Sequence, residues 1–99
     1  MTECVMQRRG DVYSVKCHGH ATGSEAVCAA ISCLLCTASA YTEGSTSMVR
    51  LSHRLQPADA LISWQGGVAA EAVFRYIEVG MRLLSHNNPK QLTVQIIEK

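Results

Sequence analysis

Val12-Tyr13-Ser14-Val15-Lys16-Cys17-His18-Gly19 alternates apolar and polar side chains; a few residues later Val27, Ala30, Ile31, Leu34 and Ala38 recur at the spacing of one helical face. Alternation with period two places Tyr13, Val15 and Cys17 on one side of a strand, and the later spacing predicts an apolar stripe along a helix. This change of period decides the fold class, because a strand that feeds straight into an amphipathic helix needs a sheet for the helix to cover. Upstream, residues 2–8 read as a short strand with Cys4 and Met6 on one face, and Arg9-Gly10-Asp11 supplies the turn of a hairpin. The helix is expected from about Ser24 to Tyr41. Thr22 or Ser24 serves as its cap, and Thr22-x-x-Glu25 fits a capping box.

Downstream the pattern repeats. Residues 46–55 alternate, with Val49, Leu51, His53 and Leu55 on one face, and Gln56-Pro57-Ala58-Asp59 is a turn. Residues 60–65 form the next strand, with Leu61 and Ser63 opposed to Ile62 and Trp64. Gly66-Gly67 opens a second helix over about 68–86, with Val73, Ile77, Met81 and Leu84 as its stripe and Phe74 and Gly80 beside it. Asn87-Asn88-Pro89 stops it. Residues 91–98 make a last strand with Leu92, Val94 and Ile96 inward. The expected architecture is an α+β two-layer sandwich, a single domain over residues 1–99, in the order ββαββαβ, with two helices on a mostly antiparallel sheet.

The 99 residues are enough for one core, and 47% of them are apolar. Nine Lys/Arg against eight Asp/Glu leave a formal charge of +1, so bulk charge points to no direct nucleic-acid partner. The longest apolar run, Ala26 to Leu35, is interrupted by Ser32 and too short to span a bilayer, so no membrane is expected. With no export signal evident, the five cysteines are expected to be free thiols in a reducing, cytoplasmic compartment.

The chemistry sits at the change of period. His20 ends a strand and Cys28 begins the next helix, seven residues apart in sequence. A thiol near a helix N-terminus is favoured as thiolate, and a neighbouring imidazole accepts its proton. Gly19 permits close backbone approach beside the histidine, and the first amides of the helix are donors for an oxyanion. Ser32 lies one turn beyond Cys28 on the same face. Read without further context, a cysteine in an Ala-rich helix is a small buried hydrophobe. Cys33-Leu34-Leu35-Cys36 lies too late in its helix for a redox motif, so core packing is expected. Cys17, His18, His20, Cys28 and His53 match no zinc spacing, and neither metal nor cofactor is expected. Trp64 reads as core. Arg8, Arg9, Lys16, Arg50 and Arg54 read as one polar sheet face, or as the wall of a groove for an extended peptide at a sheet edge.

Gly19-His20-Ala21, followed by Glu25-Ala26-Val27-Cys28-Ala29-Ala30 and Ser32, resembles the motif of the bacterial ribosomal-processing cysteine proteases. That motif is Gly-His-Ala, a loop, then Asp-Ile-Val-Cys-Ala-Ala and a serine four residues after the cysteine. The resemblance implies that His20 is the general base, Cys28 the nucleophile and Ser32 a supporting hydroxyl, with Glu25 at the family's aspartate position. It further implies a homodimeric cysteine endopeptidase that removes an N-terminal extension from a large-subunit ribosomal protein precursor. Two departures, the short loop from Ala21 to Val27 and Glu25 in place of aspartate, favour an alternative: a non-catalytic dimeric peptide-binding module of the same fold. A thiol-redox or metal protein is the third reading.

Overall fold

The computed structural model describes residues 1–19 and 24–99. Strands β1 (Thr2–Arg9) and β2 (Val12–His18) form the expected hairpin, with Cys4 opposite Cys17 and Met6 opposite Val15. Helix α1 (Glu25–Gly44) follows, then β3 (Met48–Gln56), β4 (Asp59–Gly66), α2 (Val68–Asn87) and β5 (Leu92–Glu98). The five strands lie in the order β3-β4-β2-β1-β5; every neighbouring pair is antiparallel except β1 with β5. The ββαββαβ sandwich expected from the periodicity is therefore the observed fold.

The core lies between the two layers. Tyr13, Trp64 and Phe74 pack at its centre with ring centroids 5.2–6.4 Å apart. The Trp64 indole N–H donates to the Ala70 carbonyl at 3.0 Å, which satisfies its only polar atom in the core. From α1, Val27, Ile31, Leu35 and Ala38 are buried against the sheet; from α2, Ala70, Phe74, Ile77 and Met81. By length and composition α1 is apolar enough to cross a membrane; in this fold Val27, Ile31, Leu35 and Ala38 pack against the sheet, and 33% of the apolar window is buried. The helices meet at Gly80, where a Cβ would sit 3.0 Å from the Leu34 side chain.

Several local expectations change. The α1 cap is Ser24, whose Oγ accepts from the Val27 N–H at 3.3 Å, and the helix runs three residues beyond Tyr41. Thr22, the alternative cap, lies outside the described residues. In β3 an irregularity between Arg50 and Ser52 breaks the alternation. Val49 opposite Gln65 faces outward, whereas His53 opposite Ile62 and Leu55 opposite Ala60 face the helices. The one-face reading of Val49, Leu51, His53 and Leu55 fails because the extra residue flips the register.

The same geometry divides the basic residues. Arg8 lies on the helix side, bonded to Glu71 and stacked over Tyr13. Arg50 reaches Ser39 at 3.2 Å and Glu43 at 3.4 Å. His53 bonds the buried Ser39 hydroxyl and sits 3.1 Å from Arg50 through the same Nδ1, tying α1 to β3. The cysteines depart from expectation as well. Cys4 and Cys17 are disulfide-bonded, because the hairpin register sets them directly opposite on the inner face. Cys33 and Cys36 are exposed on α1 and are not part of the core.

Candidate active site

A cleft of about 400 Å³ opens between the start of α1 and the β3–β4 turn. Each wall has a separate origin in the sequence. From α1 come Cys28, Ile31, Ser32, Leu35 and Cys36, which the helical repeat sets along one side. The opposite wall is the hairpin Leu55-Gln56-Pro57-Ala58-Asp59-Ala60, and Thr2, Cys17 and Gly19 close the base. The structure thus brings together three of the residues singled out in the sequence: Gly19, Cys28 and Ser32. Glu25 occupies the first turn of α1, is exposed, and does not line the cleft. His20 lies outside the described residues; its chain neighbour Gly19 is in the cleft wall.

Cys28 is placed by the cap. With Ser24 as N-cap, residue 28 is the fourth of the helix, and its N–H is hydrogen-bonded to the Ser24 carbonyl at 3.3 Å. The Val27 N–H is taken by the Ser24 hydroxyl. Both amides are therefore committed to the helix start, which narrows the expected oxyanion donors to groups other than these two. The Cys28 side chain is half-buried and packs against the edge of the core.

Gly19 is placed from two sides. Its N–H donates to the Ala58 carbonyl at 2.9 Å, and its own carbonyl accepts from the Thr2 hydroxyl at 3.2 Å. Its φ is +92°, and a Cβ there would lie 2.5 Å from the Met1 carbonyl oxygen, so the position requires glycine. Ala58 itself has φ +61°, an unusual conformation for a residue with a side chain. Its turn joins β3 to β4 through only Pro57 and Ala58, and this backbone conformation accompanies the carbonyl's approach to Gly19.

The lining is mainly apolar. Asp59 is its acidic residue, and Arg54 holds the Asp59 carboxylate at 3.0 Å. Among the described residues no group of three or more His, Cys, Asp or Glu is placed to hold a metal ion. Sequence reading identified Gln56-Pro57-Ala58-Asp59 only as a turn and did not single out Thr2. Ala58 reaches the site through the pairing of β2 with β4, which no local pattern encodes, and Thr2 through the β1–β2 register, which sets it beside Gly19.

Two helices on a five-stranded, mostly antiparallel sheet in this order make a fold like that of the Prp ribosomal processing protease. Of solved structures, the Prp protease from S. aureus, crystallised in complex with a covalently linked product peptide, superposes with a TM-score of 0.74 at 15% identity over 97% of this chain and 99% of that one. The same protease in complex with a substrate peptide gives 0.73 at 14% identity over the same shares. The protein SMU.848 from Streptococcus mutans gives 0.76 at 20% identity, over 100% of this chain and 96% of that chain. No known family profile matches the sequence. No curated protein matches it significantly either.

Proposed function

We propose that the chain is a cytoplasmic cysteine endopeptidase that removes an N-terminal extension from a large-subunit ribosomal protein precursor, working as a homodimer. The observation that carries this reading is the position of Cys28: on the first turns of α1, in a cleft that Gly19, the residue before His20, also lines. The cleft has the mainly apolar lining of a pocket for peptide side chains. The solved Prp structures of the same fold hold peptides, one of them covalently linked.

In this reading His20 takes the Cys28 thiol proton, and the sulfur attacks the scissile carbonyl carbon. The tetrahedral intermediate collapses with cleavage of the C–N bond, and the imidazolium returns its proton to the leaving amine. Water, deprotonated by His20, then attacks the thioester, releasing the carboxylate product and the thiol. Ser32, one turn along the same helix wall, supports the site by hydrogen bonding. Glu25 lies outside the cleft lining, so its contribution is to the helix N-terminus, where a negative charge is favourable.

The position of Glu25 outside the cleft lining also favours the second reading, a peptide-binding module that does not cleave. Incubation of the purified chain with a ribosomal protein carrying its N-terminal extension, followed by mass analysis, separates the two. Two products summing to the precursor mass plus one water are expected; intact precursor held in a stable complex would select the binding module.

A further inference from the structure

Strand β3 is an edge of the sheet: β4 pairs with it on one side, and no strand of the described residues lies on the other. The hydrogen-bond pattern fixes which of its backbone groups are left over. In an antiparallel ladder the N–H and C=O of one residue point to the same neighbour, and those of the next residue point the opposite way. The Ala58 carbonyl accepts from Gly19, so the alternate residues Ala60 and Ile62 also turn their backbone groups toward β2. Asp59, Leu61 and Ser63 are then the residues that bond β3, at Gln56, Arg54 and Ser52. The N–H and C=O of His53 and Leu55 therefore point out of the sheet. Among the described residues nothing outside β4 bonds the backbone of residues 52–56. The irregularity between Arg50 and Ser52 ends this regular stretch on one side, and the Pro57-Ala58 turn ends it on the other. The opposite edge of the sheet differs. Helix α2 covers both ends of β5, through the Ser85 hydroxyl on the Leu92 carbonyl at 2.8 Å and through Arg75 paired with Glu98.

We propose that an extended segment of the peptide substrate adds to β3 as a further strand, bonded to the outward N–H and C=O of His53 and Leu55. The inference rests on the functional reading of the cleft and assigns the surface that holds the chain beyond the scissile bond. Continuity selects the occupant. The side chains of Leu55 and Gln56 line the cleft while the backbone of Leu55 faces out of the edge, so the cleft opens directly onto the unpaired groups. Length selects it as well. The irregularity and the exposed charge of Arg54 blunt the edge against the long, flat strand of another sheet. What remains is five residues, about 17 Å at strand rise, which suits a short stretch of unfolded chain. Leu51, 50% exposed at the irregularity, offers an apolar contact at the far end of that stretch. Main-chain bonding of this kind supplies affinity with little dependence on sequence, and leaves selectivity to the side chains in the cleft.

The test uses the full chain carrying Cys28→Ala, which keeps the cleft and has no nucleophile. The probe is a fluorescein-labelled synthetic peptide spanning the cleavage junction of the extended ribosomal-protein precursor, with affinity read by anisotropy. Each peptide amide is N-methylated in turn. Two methylations spaced two residues apart, on one side of the scissile bond, are expected to weaken binding at least about tenfold, and the one between them less than about twofold, because only alternate amides of an added strand face β3. On the protein, His53→Pro deletes an outward donor at an edge position where proline is tolerated, whereas His53→Ala removes the imidazole and keeps the donor. Binding should be at least about fivefold weaker in His53→Pro than in His53→Ala. Should His53→Pro fail to fold by thermal unfolding, the methylation series decides alone, since it leaves the protein unaltered. A series without the two-residue period overturns the proposal, as does a peptide that does not bind. Self-association of the peptide-free chain that His53→Pro abolishes would assign the edge to a second copy and likewise overturn it. Binding is read without catalysis, so the two readings fail separately. A periodic series without cleavage by wild type keeps the edge and sinks the peptidase, and cleavage with a flat series does the reverse.

Discussion

The Thr2 hydroxyl donates to the Gly19 carbonyl at 3.2 Å, so the beginning of the first strand fixes the backbone immediately before His20. Thr2 is 3% exposed and also lines the cleft. Thr2→Val keeps the shape and deletes the donor. It is expected to cost about 1 kcal/mol of stability, the net value of one hydrogen bond. Precursor cleavage should fall further than stability does, by up to about 10²-fold, because small displacements of reacting groups are expensive. Thr2→Ser should restore most of the rate. Thermal unfolding and initial cleavage rates, measured together, check both halves.

Gly19→Ala is expected to be more damaging. The added Cβ meets the Met1 carbonyl oxygen while φ stays positive, a combination worth about 1–3 kcal/mol in backbone strain before the clash is counted. Denaturant midpoints should show the loss, and cleavage should be abolished even where the variant remains folded.

The disulfide gives a chemical count. Protein purified without reductant should show three reactive thiols when unfolded, from Cys28, Cys33 and Cys36, and five after reduction. The double variant Cys4→Ser, Cys17→Ser should be less stable than the oxidised chain by about 3 kcal/mol, the chain-entropy value for a loop of this order closed across 13 residues. Thiol titration before and after reduction reads the first, and urea unfolding the second.

Acid should loosen the junction of α2 with β5. Hydrogen bonding to Arg75 lowers the Glu98 pKa. For Glu78, burial raises it, but the bonds from Arg75 and Arg82 outweigh that and the net shift is downward. A carboxylate whose folded pKa is depressed adds stability above its unfolded pKa, about 4.3, and that stability is lost as pH falls through the folded value. Melting temperatures of wild type and Glu98→Gln should therefore differ most near neutral pH and converge below about pH 4. A difference that grows in acid would contradict the pairing.

The fold was legible because its signals were local. The alternation of Tyr13, Val15 and Cys17, the helical stripes and the stop at Asn88 each follow from nearest-neighbour sequence, and Asn88 does cap α2 by bonding the Leu84 carbonyl. The β3 register was not legible, because alternation in Val49-Arg50-Leu51-Ser52 looks regular and the irregularity is imposed by pairing with β4. At the site, Gly19, Cys28 and Ser32 stood out through a short motif. Thr2 and Ala58 did not, because they act through backbone groups of residues 17 and 39 positions away. The Cys4–Cys17 bond is hidden by composition, which speaks for free thiols, although Cys4 shares a strand face with Met6 and Cys17 with Tyr13 and Val15.

The role of Cys28 as nucleophile is tested most directly by the initial rate of cleavage of one extended ribosomal-protein precursor by wild type, Cys28→Ala and Ser32→Ala, with matched folding verified by dichroism. Cleavage by wild type, a smaller loss in Ser32→Ala and no cleavage by Cys28→Ala are the results predicted, the last because the alanine variant keeps the helix cap and the cleft but has no sulfur to attack the carbonyl. Cleavage by Cys28→Ala at the wild-type rate would contradict the account.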